Sequence, residues 1–257
     1  MHPIQPTIQI VIPIYKSDLS DLEFFSINHS LQILTKYPVV FAHPKSLSLS
    51  YYKSNFQRAS FVGFDDSYFT SVSAYNQLCY NKDFYLPFIN SDRILLLQPD
   101  AIVIKDDLEY WSLENYDYIG SPECIVCHYD LSPFPPFSEL KFFAPVVLNG
   151  LNGGLSLRNP KAFIKVISEY IALTSAFQSY AGGVGEDIFF SVLGRVSKEF
   201  KTPNEVTASE FALTGDFSGW SKFNNGKFPM GFHRWYANEA DKSHVLGILA
   251  KLSSLAS

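Results

Sequence analysis

Over its first 120 residues the chain repeats one pattern: a short apolar run of strand length, a polar break, then apolar residues at helical spacing. Ile8 to Ile14 is the first run, ending around Pro13, and Leu19 to Leu34 is the helical stretch behind it, with Asp18 as its expected cap. Tyr37 to Ala42 and Ala59 to Phe64 read as the next two strands, separated by a short helix over Lys45 to Asn55. Asp65 and Asp66 are placed to cap a helix reaching about Tyr80. Ile94 to Leu97 is a fourth strand, followed by Ala101 to Ile104, a short helical segment from Asp106 to Trp111, and a fifth strand over Tyr116 to Ile119. Such alternation predicts an α/β fold whose mostly parallel sheet carries helices on both faces. At 257 residues, with no linker or internal repeat, a single domain is expected.

The second half is less regular. Ser121 to Leu148 is rich in Pro, Ser and Phe with little periodicity, which at this length suggests a lid or acceptor-binding loop. The segment from Asn149 to Gly154 leads into a strand at Leu155 to Leu157, and Asn159 with Pro160 supplies a cap and first turn for a helix to about Leu173. Gly182, Gly183 and Gly185 precede Glu186 and Asp187, which open a helix through Leu193. Pro229 to Trp235 is turn-rich and aromatic, and a last helix spans about Glu239 to Leu252.

Composition narrows the function class. A net charge of −5 leaves no basic stripe to neutralise phosphates, so a nucleic-acid partner is not expected. No stretch approaches the ~20 apolar residues of a membrane span, and the amino terminus lacks the basic and apolar regions of a signal peptide. The expectation is a cytoplasmic protein, with peripheral association at the inner membrane face compatible with it. Three cysteines are too few for a disulfide framework. Cys124-Ile-Val-Cys127-His128 has the spacing of a haem-attachment signature, but that chemistry belongs to exported chains, and the neighbourhood offers no fourth ligand for zinc; a loop with incidental thiols is the simpler reading.

Arg93-Ile-Leu-Leu-Leu-Gln-Pro-Asp-Ala-Ile-Val-Ile104 brings the chemistry into focus, because a buried strand delivers one carboxylate, Asp100, at its exit. Open α/β sheets bind ligands at the carboxyl ends of their strands, and a carboxylate there offers hard oxygen to a divalent cation or a sugar hydroxyl. Pro-Asp is equally an ordinary turn. Four further motifs follow in order: Tyr116-Asp-Tyr-Ile-Gly-Ser121, Asn152-Gly-Gly-Leu-Ser-Leu-Arg158, Glu186-Asp187, and Gly231-Phe-His-Arg-Trp235.

In this ordered set the chain resembles an uncharacterised bacterial family of glycosyltransferase-like proteins with a GT-A fold, from the Val11-Ile-Pro-Ile-Tyr-Lys16 strand end to the Gly231 segment. The resemblance implies a nucleotide-binding half over residues 1–120 and an acceptor-binding half over 121–257. It implies a nucleotide sugar as donor and a saccharide acceptor, in work such as bacterial surface glycan synthesis. Asp100 then takes the last position of an Asp-x-Asp metal motif whose first position is Gln98, a departure, since a neutral amide is a weaker partner for Mn²⁺ or Mg²⁺. His233 corresponds to the late histidine that completes the metal site in some GT-A enzymes, or else it is simply packed among aromatics. Arg234 is suited to a diphosphate.

Transfer from a nucleotide sugar leaves negative charge on the departing diphosphate, and an inverting reaction needs a carboxylate to take the acceptor's proton. Asp187 is the expected base, with Glu186 beside it to orient it or bind acceptor; both acids also suit a helix start as caps. Asn152, Gly153, Gly154 and Trp235 are expected at the acceptor, the glycines through close backbone approach or a positive φ. Pro13, Ile14 and Tyr15 end the first strand where a nucleotide base would lie, with Tyr15 placed to stack on it. Two rivals stay open: a nucleotidyltransferase, although no glycine-rich phosphate loop follows the first strand, and a catalytically silent carbohydrate-binding protein on the same scaffold.

Overall fold

The computed structural model describes residues 5–122, 127–129, 146–148, 150–179, 185–215, 217 and 227–255. A six-stranded sheet organises them, in the order β3 (Ser60–Phe64), β2 (Val39–Pro44), β1 (Ile8–Pro13), β4 (Arg93–Leu97), β9 (Leu151–Arg158), β6 (Tyr118–Pro122). The β3–β2–β1–β4 run is parallel throughout, whereas β9 lies antiparallel to both of its neighbours, so the sheet is mixed at one end.

Alternating side chains on the strands feed two cores. Val11, Val40, Ile94, Leu96 and Tyr118 pack on one face with Leu78 of α3 (Val72–Cys79), Phe163 of α6 (Pro160–Glu169) and Phe190 of α8 (Glu186–Val196). Ile10, Ile12, Phe41, Leu95 and Leu157 pack on the other with Ile27 of α1 (Asp21–Ile33) and with Leu108 and Trp111 of α5 (Leu108–Leu113). This is the two-faced burial that parallel strands require. Most of the chain's aromatic content is spent here: Tyr85, Tyr118, Phe163, Phe190 and Phe200 are all fully buried and in ring contact with one another.

A smaller sheet, β10 (Ala212–Thr214), β11 (Gly231–His233) and β5 (Ala101–Val103), lies beyond the exit of β4. Ile102, Leu213, Phe232 and Trp235 close it against Val245 and Ile248 of α10 (Glu239–Leu255). The short elements α2 (Ser50–Asn55), α4 (Lys82–Tyr85), α7 (Ile171–Ser179) and α9 (Glu205–Phe211), and the hairpin of β7 (Cys127–Tyr129) with β8 (Val146–Leu148), complete the described chain. No described helix is long and apolar enough to cross a membrane.

Several sequence expectations need correction. The cap of α1 is Ser20, not Asp18: its hydroxyl accepts from the Glu23 amide while the Glu23 carboxylate accepts from the Ser20 amide, a reciprocal box that starts the helix at Asp21. Asp65 caps only a short 3-10 turn over Asp66–Phe69, and Ser71 starts α3 afresh by accepting from Ala74 N. The helix after Pro160 stops at Glu169 and α7 follows, rather than one helix running on to Leu173. Asn152, Gly153 and Gly154 are not a turn before a strand but lie inside β9. There one step along β6, Gly120 to Ser121, spans Ser156 to Asn152 on β9, and this bulge lets Gly153 and Gly154 leave the β6 ladder. Neither glycine has a positive φ; among the described glycines only Gly215 does. Cys124, most of the 121–148 loop, and Gly182 and Gly183 lie outside the described residues.

Candidate functional site

The order β3-β2-β1-β4 means the chain winds one way from β1 and then crosses to the other side, so β1 and β4 flank the topological switch point. A ligand crevice is expected outside their carboxyl ends. A cleft of about 790 Å³ lies there. Pro13 and Tyr15 line it from β1, Gln98, Pro99 and Asp100 from β4, Asn152 to Gly154 from the β9 bulge, Gly185 to Asp187 from the start of α8, and His233 and Arg234 from the end of β11. Five separate chain segments therefore meet in one place, and the Tyr116–Ser121 motif is not among them.

Asp100 sits in the tight turn from β4 to β5, where Ala101 N donates to Gln98 O at 2.9 Å, so the turn and the strand-end carboxylate are one feature. His233 is buried, and its Nε2 faces two oxygens, Gln98 Oε1 at 3.2 Å and Asp100 Oδ1 at 3.4 Å. Its Nδ1 lies 3.3 Å from Thr214 Oγ1, which orients the ring from behind. Burial raises the Asp100 pKa, but the His233 hydrogen bond and charge, a backbone amide and nearby Arg234 outweigh it and hold the carboxyl below its ordinary value. One carboxylate oxygen, one imidazole nitrogen and one amide oxygen thus converge, with a hydrogen bond behind the ring, as metal-binding histidines require. This donor set fits Mn²⁺ or Mg²⁺, with Gln98 supplying a neutral oxygen. Among the described residues no group of three or more His, Cys, Asp or Glu side chains is placed to hold a metal, so the amide is the third protein donor available.

The glycines of β9 are fitted to the side chains beside them. A Cβ on Gly154 would lie 2.5 Å from His233 Cδ2 and Cε1 and closer still to Nε2, so the ring packs where a side chain would be. A Cβ on Gly153 would come 2.7 Å from Arg158 Nη2 and 2.9 Å from Glu186 Oε1. These glycines make room for protein side chains of the site, His233 at Gly154 and the Arg158–Glu186 pair at Gly153.

At the other wall Asp187 lies in the first turn of α8, its Oδ1 accepting from Ile188 N at 2.8 Å and its Oδ2 from Gly153 N at 3.4 Å. Glu186 is buried and bonded to Arg158 at 2.9 Å. Arg234 is exposed and carries φ 54°, a left-handed conformation that side chains seldom adopt, between the strand residue His233 and the anchored Trp235. Such strain persists where the surroundings fix it, and here it falls on a residue that lines the cleft.

Two expected residues lie elsewhere. Trp235 is fully buried, gives its indole N–H to Ser26 at 2.8 Å, and does not line the cleft: it anchors the turn to α1 instead of meeting acceptor. Ile14 is likewise buried and off the cleft, because alternation along the chain turns it into the core between the cleft-lining Pro13 and Tyr15. Glu23, Tyr236 and the Phe69 to Val72 segment line the cleft without having been singled out. Only Glu23 left a readable signal, the Ser-x-x-Glu capping pattern.

Residues 58–233 match the sequence model of a family described as protein of unknown function (DUF5672). No curated protein matches the chain. Among solved structures, mouse xyloside xylosyltransferase 1 in its apo form superposes with a TM-score of 0.54 at 13% identity, covering 89% of this chain and 98% of its own. The galactosyltransferase LgtC in complex with donor and acceptor sugar analogs gives 0.53 at 12% identity, covering 88% and 86%. The bifunctional glycosyltransferase WbbM gives 0.51 at 14% identity over 93% of this chain, which spans about half of that longer protein, 47%. At these identities the likeness establishes the fold, the GT-A type of glycosyltransferases.

Proposed function

The chain belongs to the DUF5672 family, and we propose that it is a glycosyltransferase moving a sugar from a nucleotide-sugar donor to a saccharide acceptor. The observation that carries this reading is the cleft at the β1/β4 switch point of a GT-A fold, with Asp100, Gln98 and His233 on one side and Asp187 on the other. Residues 1–120 supply most of the donor side, joined there by His233 and Arg234, and the other later residues shape the acceptor side.

In this reading the nucleotide lies across the strand ends at Pro13 and Tyr15, where the exposed Tyr15 ring, 57% accessible, offers a stacking face. The diphosphate faces Arg234, whose guanidinium matches phosphate oxygens. Asp100 and His233, with Gln98, hold Mn²⁺ or Mg²⁺. A bound divalent cation offsets the negative charge that develops on the leaving diphosphate. Of the acids lining the cleft among the described residues, Glu23 is paired with Lys16 and Glu186 with Arg158, which leaves Asp100 and Asp187 facing Arg234. A diphosphate beside the Asp100 and Asp187 carboxylates, with Arg234 to meet it, gains from added positive charge, which supports cation dependence.

Asp187 takes the proton of the acceptor hydroxyl, its carboxylate fixed by two backbone amides. A base on the face opposite the leaving group gives a product of inverted configuration. Glu186, tied to Arg158, acts behind it. Two groups of residues thus divide the work: charge control at the β4 exit and proton removal at the α8 start.

The test is release of nucleoside diphosphate from a panel of nucleotide sugars in the presence of Mn²⁺ and saccharide acceptors. Turnover that Asp187→Ala and Asp100→Ala both abolish is the expected result. Unchanged turnover in both variants sinks the site assignment. Saccharide binding without turnover on any donor favours a silent carbohydrate-binding protein, the reading that Gln98 in an acid's place permits.

A further inference from the structure

Directly behind the cleft floor, on the core side of Gly153, lies an arginine with no surface at all. Arg158 is fully buried at the end of β9, and each of its nitrogens is committed: Nε donates to Ser156 Oγ at 2.9 Å, Nη1 to Tyr85 Oη at 3.0 Å, and Nη2 to both Glu186 Oε1 at 2.9 Å and Gly153 O at 3.3 Å. Its guanidinium carbon sits 5.5 Å from the centres of the Tyr118 and Phe163 rings. Removing two charges from water costs several kcal/mol per ion, and well-packed apolar groups often serve stability as well or better. A pair kept here in an aromatic core therefore calls for a reason beyond stability.

Its connections supply one. Nη2 ties the carbonyl of Gly153 to the carboxylate of Glu186, while the amide of Gly153 reaches the carboxylate of Asp187. Gly153 has no side chain because a Cβ would strike this same pair. Strand β9 and the first turn of α8 are thus joined at one guanidinium, and Asp187 is the next residue after the one it grips.

We propose that Arg158 is the positioning residue of the reaction: its planar fork sets where the Asp187 carboxylate stands relative to the Gly153 floor. This rests on the glycosyltransferase reading. A lysine keeps the charge but presents a point instead of a fork, so it cannot hold Glu186, Gly153, Tyr85 and Ser156 together.

Two variants test this, Arg158→Lys and the double variant R158M/E186Q, which removes both buried charges; Lys165→Met, at an exposed pair with Glu199, is the control. Each is measured for melting temperature, for nucleoside diphosphate binding, and for kcat and KM on the best donor of the wild-type enzyme. In both Arg158 variants, where they fold, kcat should fall about 100-fold, the cost of a misplacement near 1 Å, while donor KM and nucleotide affinity stay at the wild-type value; Lys165→Met should keep the wild-type kcat. Unchanged kcat in either folded variant overturns the proposal, as does a loss of kcat that only tracks the folded fraction or is matched by a rise in KM. Turnover of no donor by the wild-type protein instead overturns the glycosyltransferase reading, and this inference with it.

Discussion

His233 occupies the space of the side chain that Gly154 lacks. The ring is thereby held between the β9 bulge and the Gln98 and Asp100 oxygens, with Thr214 behind it. Gly154→Ala should push the ring off this position. Overpacking of this kind costs about 1–3 kcal/mol, measurable by denaturant unfolding, and nucleotide-sugar turnover should fall further than the lost stability explains. Wild-type turnover in Gly154→Ala would show that the His233 position is not needed.

The donor set at the β4 exit makes the reaction sensitive to chelation. Activity should be lost with a chelator and restored by Mn²⁺ or Mg²⁺, less well in His233→Ala. Thr214→Val, which removes the group behind the ring, should weaken metal affinity about 10- to 100-fold in a metal titration. Indifference to chelator would instead identify Gln98 as the mark of a metal-independent enzyme.

Asp187→Asn keeps shape and removes the base. Turnover should fall about 10²- to 10⁴-fold while nucleoside diphosphate still binds, as seen by calorimetry. Proton NMR of the wild-type product should show the anomeric configuration inverted relative to the donor; retention would remove the base role from Asp187.

Glu23 links the cleft to the start of α1. Burial pushes its pKa up, but hydrogen bonds from Lys16 and Ser20 prevail and hold it below the ordinary glutamate value. The unfolded chain therefore binds the proton more readily, and folding stability rises with pH through this group. Its contribution is complete above the usual glutamate pKa of about 4.3 and is lost as pH falls below it. Glu23→Gln should flatten that acid limb in urea titrations and lower stability at neutral pH by about 1 kcal/mol. An acid limb unchanged in Glu23→Gln would contradict the role given to the Lys16 and Ser20 bonds.

The parallel strands were legible because burial on both faces leaves near-continuous apolar runs such as Ile94 to Leu97. Less regular parts were not. Strand β10 is three residues long and leans on pairing with β11 rather than on any pattern of its own. The early start of β9 was hidden because Asn152, Gly153 and Gly154 have turn-forming composition, and only the packing of His233 and Arg158 against them explains glycine inside a strand. At the site, residue types at a strand end and a helix start pointed to Asp100 and Asp187, and the family resemblance to His233; all three line the cleft. Trp235 misled because an aromatic beside a histidine reads alike whether it faces sugar or core, and its hydrogen bond to Ser26, 209 residues away, has no local signature.

The most direct test of the glycosyltransferase site is a crystal structure with nucleoside diphosphate and Mn²⁺, with the ion located by its anomalous signal. The expected result is a base beside Tyr15, a diphosphate against Arg234, and an anomalous peak coordinated by Asp100 and His233. A nucleotide bound away from the exits of β1 and β4, or a cleft that takes up saccharide but no nucleotide, would contradict it.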